Sequence, residues 1–99
     1  MEKVTNNDFE KKVLQAEGVV LVDFNADWCG PCQAQKPALE SLAEGGAKIF
    51  SVNIDDEPEL AEKYEVSSIP CLVLFKNGEE VERKIGLQPK NVIEDMLGE

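Results

Sequence analysis

The 99-residue chain predicts an α/β domain built on a mixed sheet. Three features carry that prediction. Helix-like and strand-like stretches alternate along most of the chain. Two strand-like runs, "VVLVDF" and "KIFSVNI", are apolar enough for buried strands, the first covered on both faces. Towards the C-terminus, Asn77-Gly78 separates "CLVLF" from "EVERKI", a strong hairpin signal that adds antiparallel strands.

Taken in order, "TNNDFEKKVLQAEG" predicts a helix capped by Asn6 or Asn7, with Phe9, Val13 and Leu14 at helical spacing and Gly18 as its stop. "VVLVDF" follows as a central strand. From Cys32 to Glu44 the pattern is again helical, with Leu39, Leu42 and Ala43 as core contacts and Gly45-Gly46 ending it. Pro37 inside that helix should kink it, because its ring clashes with the preceding turn and it lacks an N–H. "KIFSVNI" is the second buried strand. "EPELAEKYEV" is a short helix with Pro58 in its first turn, where a missing N–H costs nothing. The hairpin comes next, and "QPKNVIEDML" is an amphipathic helix opened by Pro89.

A hydrophobic content of 42% supports one compact domain over residues 1–99, with one core. "MEKVTNNDFE" contains no signal-peptide stretch, and no run is long enough to span a membrane, so a cytoplasmic protein is expected. A formal charge of −10 argues against nucleic acid and anionic membranes, which require a basic patch. The acids at Asp55, Asp56, Glu57, Glu59 and Glu62 and at Glu79, Glu80 and Glu82 read as solvated faces. The alternative is a surface for a cationic partner.

The chemistry concentrates in "ADWCGPC", which holds two of the three cysteines. Three cysteines in a reducing compartment do not suggest a disulfide framework. Cys29 and Cys32, three apart on the first turn of a helix, would stand about 5–6 Å apart, a separation a disulfide can bridge. A helix beginning near Cys29 would favour a thiolate there, through exposed N–H groups and the helix dipole. Gly30 would let the backbone turn sharply after the strand, and Pro31 surrenders a donor that is orphaned anyway.

A structural staple is a poor reading, since a two-residue loop removes little unfolded-state entropy. A closed zinc site needs four ligands, and this chain has no histidine and no second Cys-x-x-Cys. A redox pair leads, with metal ligation and inert thiols as alternatives.

Asp23 interrupts the apolar strand. Buried, its carboxyl would titrate high and could shuttle a proton for Cys32; at a wet strand end it would simply face water. Trp28 is either a core residue or a flat shield beside a reactive thiol. On base rates Ile69-Pro70 is a trans bond.

With "WCGPC" after a strand containing Asp23, then "SIPCLVLFKNGEEV" and "KIGL", the chain resembles the thioredoxin family over essentially its whole length. The resemblance implies a thioredoxin fold, a three-layer α/β/α arrangement with a sheet of about five strands flanked by four helices. The first strand would be abbreviated to a few residues around Lys3 to Thr5. It implies that Cys29 is an exposed attacking thiolate, Cys32 a buried resolving thiol and Asp23 a buried proton-transfer carboxylate. It further implies that Pro70 is a cis-proline beside the disulfide, overturning the base rate. Ile69 and Gly86 would form a backbone groove for a substrate peptide, and Trp28 would adjoin the site. Gly30-Pro31 is the pair typical of reducing members.

The implied activity is protein-disulfide reduction by Cys29/Cys32 dithiol exchange. The implied partners are disulfide-containing proteins and a thioredoxin reductase that returns the electrons to a monomer. No bound organic cofactor and no metal are implied.

Four positions depart from the family pattern. Asn25 replaces a common aromatic, so the site should be less sheltered by rings on that side. Gln33 removes a positive charge after the second cysteine. Ser51 replaces a lysine common near the buried Asp, which should retune proton transfer. Cys71 stands where Thr is frequent. It reads as a small buried hydrophobe, with a third exchanging thiol or a metal ligand as the functional alternatives. The other functional readings are an isomerase-like member or dedicated electron carrier, a metal module of Cys29, Cys32 and Cys71, and a binding protein that uses the fold alone.

Overall fold

The computed structural model describes residues 1–98; Glu99, the last residue of the predicted domain, lies outside the described residues. Five strands form one sheet: β1 (Glu2–Lys3), β2 (Val19–Asn25), β3 (Ile49–Asn53), β4 (Cys71–Lys76) and β5 (Glu79–Ile85). Their order is β1-β3-β2-β4-β5, so the run predicted as a central strand is central. β2 pairs parallel with β3 and antiparallel with β4, and β5 pairs antiparallel with β4. The sheet is therefore mixed, as expected.

The helices are α1 (Gly30–Glu44), α2 (Pro58–Lys63) and α3 (Lys90–Leu97), joined by a π-helical segment at Glu10–Leu14. That segment corrects the first predicted helix: the Gln15 N–H bonds the Glu10 carbonyl, five residues back, at 2.9 Å. Neither Asn6 nor Asn7 caps it. Asp8 reaches back to accept the Thr5 N–H at 2.6 Å, while Asn6 bonds Glu57 and Glu59. This early turn also ends β1 at Lys3, short of the predicted Thr5. α1 begins two residues earlier than the pattern indicated and runs unbroken through Pro37.

Successive strand residues face opposite sides of a sheet. β2 accordingly sends Val20, Val22 and Phe24 into a cluster with Phe9, Val13, Leu60, Val73 and Phe75. Its Leu21 joins Leu39, Ile49, Leu72, Leu74, Ile93 and Met96 on the other face. The π-helical segment and α2 cover the first face, α1 and α3 the second. The predicted single core is thus divided by the sheet into two large clusters, since a sheet covered on both sides cannot share one interior, and Ala26, Cys29 and Cys32 form a third, small one. Leu39 is fully buried, whereas Leu42 and Ala43 are only half-buried.

The Asn77-Gly78 turn is fixed by close approach. Gly78 has φ +84°, and a Cβ there would stand 2.2 Å from the Leu14 carbonyl oxygen. The Asn77 side chain accepts the Gly18 N–H at 2.8 Å, tying the hairpin to the start of β2. These restraints set the sheet, and the sheet sets the place where β2 hands over to α1.

Candidate active site

β2 ends at Asn25 and α1 begins at Gly30, with Cys29 as its extended N-cap and Pro31 in its first turn. Cys29 and Cys32 are disulfide-bonded, with their Cα atoms 5.2 Å apart. The Cys29 Sγ accepts the Cys32 N–H at 3.2 Å. A sulfur so placed sits at the positive end of the α1 dipole, among N–H groups with no intrahelical partner, where negative charge is favoured. Gly30 is already helical, and a Cβ there would meet nothing within 4 Å. The expected sharp glycine turn is therefore absent, because Cys29 itself makes the change of direction.

Cys32 is fully buried and Cys29 is only 5% exposed. The implied exposed thiol is thus covered in the oxidised state: Cys29 packs with Ala26, Ile54 and Ile69, and its Sγ lies 3.9 Å from the Ile69 carbonyl oxygen. Trp28 does face solvent, at 69% exposure. Its indole N–H donates to Asp55 at 2.9 Å, and Asn53 in turn accepts the Asp55 N–H at 2.8 Å. The tryptophan is a flat exposed surface held from below, not a core residue.

The Ile69-Pro70 bond is cis, against the base rate and with the resemblance. The Pro70 carbonyl accepts the Gly86 N–H at 2.8 Å, and Gly86 has φ +93°. Gly86, distant in sequence, is thus bonded to Pro70, whose neighbour Ile69 packs against Cys29.

Asp23 is fully buried, so the wet strand-end reading does not hold. Burial pushes its carboxyl up to about 6, while a hydrogen bond from Asn25 and the charge of Lys36 pull the other way. Asn25, expected to leave the site less sheltered by rings, is itself buried and turned inward onto Asp23 and Ser51. Gln33 is exposed, and its side-chain N–H donates to the Asp27 carbonyl at 3.3 Å.

Cys71 is a buried free thiol in the cluster with Val73 and Phe75, on the sheet face opposite Asp23 and α1. Burial pushes this thiol up, towards the protonated form. Ile54 and Ile69 pack against both its cluster and the small one around Cys29 and Cys32, and Cys71 is disulfide-bonded to neither cysteine of the pair. Among the described residues no three Cys, Asp or Glu side chains are grouped to hold a metal ion.

Gln35 was not singled out by the sequence. It is 1% exposed, one helical turn after Cys32, and it clamps the chain at Gln88 with both ends of its amide. Its Oε1 accepts the Gln88 N–H at 2.7 Å and its Nε2 donates to the Gln88 carbonyl at 3.0 Å. The available signal was its spacing: Cys32, Gln35 and Leu39 form one helical stripe, in which a glutamine is the odd member.

Among the described residues no helix is long and apolar enough to cross a membrane. The protein-family model for Thioredoxin matches residues 1–99. The chain is 48% identical over 98 residues to a thioredoxin of Staphylococcus epidermidis, covering 96% of this chain and 92% of that protein. It is 49% identical over the same length to thioredoxin of Staphylococcus aureus, with the same coverage. A solved mutant thioredoxin from Halobacterium salinarum NRC-1 superposes with a TM-score of 0.89 at 40% identity, over 97% of this chain and 86% of that one. Fold, Cys29–Cys32 disulfide and likeness agree: the chain belongs to the thioredoxin family and is a protein disulfide oxidoreductase.

Proposed function

We propose that Cys29, Cys32 and Asp23 divide the reduction of partner disulfides among them. The Cys29 thiolate attacks one sulfur of the partner disulfide, breaking that bond and expelling the other sulfur as a thiolate. A mixed disulfide to Cys29 remains. Cys32 passes its proton to the Asp23 carboxylate and attacks the Cys29 Sγ, and the second partner sulfur leaves as a thiolate. The partner gains two electrons and, with protons from solvent, becomes a dithiol, while Cys29–Cys32 becomes the disulfide. A thioredoxin reductase then returns two electrons to the pair.

One observation carries the division of labour between the sulfurs. The Cys29 Sγ is the N-cap of α1 and accepts a backbone N–H there, whereas Cys32 is wholly enclosed. Trp28, Ile69, Pro70 and Gly86 serve as the groove for the partner chain. This reading is supported by Ile69 packing on Cys29, by the hydrogen bond from Gly86 to Pro70 and by the exposure of Trp28 next to Cys29. In our reading residues 1–99 act as one monomeric cytoplasmic domain, without nucleic acid, membrane, metal or organic cofactor. The redox group is the Cys29–Cys32 pair itself.

Steady-state reduction of a disulfide-bonded protein, with dithiothreitol as electron donor, tests the assignment. Cys29→Ser and Cys32→Ser should each fall to the rate of dithiothreitol alone, and Cys71→Ser should keep the parent rate. Full turnover by Cys29→Ser, or its loss in Cys71→Ser, would move the chemistry to another sulfur.

A further inference from the structure

A buried carboxyl that exchanges a proton must be held in place while keeping one oxygen available. Asn25 follows Asp23 by two residues along β2 and so shares its face of the sheet, and Ser51 stands opposite Asp23 in the parallel register of β3. The Asn25 Nδ2 lies 3.0 Å from Asp23 Oδ2, 3.0 Å from the Asp23 main-chain oxygen and 2.7 Å from the Ser51 Oγ. All three residues are buried. The other carboxyl oxygen, Oδ1, is buried and accepts no hydrogen bond from the described residues.

We propose that Asn25, steadied by Ser51, is a positioning residue of the redox reaction: its amide pins Asp23 through Oδ2 and leaves Oδ1 to take and return the proton of Cys32. This inference rests on the proton-transfer reading of Asp23. An N–H donor bonds an ionised carboxylate more strongly than a neutral carboxyl. The amide therefore steadies the charged form that accepts the proton, in surroundings that otherwise oppose charge.

The other groups facing Asp23 are few. Lys36 on α1 contributes positive charge, and the Cys29–Cys32 pair lies at the start of the same helix. β3 presents neutral Ser51, with Asn53 beyond it, and β4 presents Leu72. The thiol of Cys71 stands next along β4 on the opposite face, and α3 adds apolar Ile93 and Met96. No second side-chain donor to the carboxyl is found among the described residues, so the amide has no substitute.

The test follows the Asp23 carboxyl by carbon NMR across pH, together with the pH–rate profile of disulfide reduction, with Asp23→Asn as reference. Asn25→Leu should move the Asp23 titration, and the acid limb of the rate profile with it, upward by about one pH unit. Ser51→Ala should move both in the same direction by less, and it reports even if Asn25→Leu fails to fold. Titrations unmoved in every variant that folds overturn the proposal while leaving Asp23 as the proton-transfer group. If Asp23→Asn itself leaves the acid limb in place, the reading of Asp23 falls and the positioning role falls with it.

Discussion

Asp23 couples the chemistry of the site to the stability of the fold. A carboxyl enclosed by the sheet resists ionisation, and Asp23 titrates near pH 6 instead of near 3.8. Between those values the folded chain keeps a proton that the unfolded chain has lost. Stability therefore falls as pH rises through the window, and the loss is complete above the folded-state value. At about 1.4 kcal/mol per pH unit the loss is on the order of 3 kcal/mol. Asp23→Asn is accordingly predicted to be more stable than the parent at pH 8, by up to about 3 kcal/mol, with the gain shrinking to near zero below about pH 4. Denaturant unfolding of the two oxidised proteins at both pH values checks the sign as well as the size. A buried charge that weakens the fold is the kind of feature a redox site explains and a packing role does not.

Among the elements, α1 carries both cysteines at its N-terminus and, one turn later, the glutamine that holds the chain after Gly86. Gln35→Leu keeps the volume of the side chain but removes both hydrogen bonds to Gln88. Water can reach the partly exposed Gln88, so the expected cost is about 1–2 kcal/mol, read as a lowered Tm. If the clamp keeps Gly86 beside Pro70, the KM for a protein disulfide should rise while alkylation of Cys29 in the reduced protein keeps its rate. An unchanged KM with a lowered Tm would make Gln35 a packing residue only. The elements themselves were largely legible, because buried strands and glycine or proline punctuation are local signals. The π-helical winding at Glu10–Leu14 was not, since it depends on a hydrogen-bond choice that side-chain spacing does not encode. The start of α1 was legible in part: apolar spacing began the helix only at Cys32, whereas the chemistry of the cysteine pair put its start near Cys29, where it lies.

At the scale of the whole molecule, the site is an intersection of distant segments. Cys29 and Cys32 were readable from the seven consecutive residues Ala26 to Cys32, and Asp23 stood out as a charge in an apolar run. Pro70 and Gly86 could be placed only through resemblance, because nothing in their own neighbourhoods says that β4 and β5 bring them to the end of β2. The Asn25–Ser51 contact depends on the parallel register of two strands separated by a helix. Cys71 was more legible: read first as a small buried hydrophobe, it packs with Val73 and Phe75 on the Phe24 face of the sheet.

The central claim is that Cys29 alone meets the partner and Cys32 alone resolves the adduct. Its most direct test is to react the reduced Cys32→Ser protein with a disulfide-bonded partner and locate the mixed disulfide by peptide mass spectrometry. A stable adduct carried by Cys29 is expected, with Cys71 remaining a free thiol. An adduct on Cys71, or no adduct while Cys29 still alkylates readily, would contradict it.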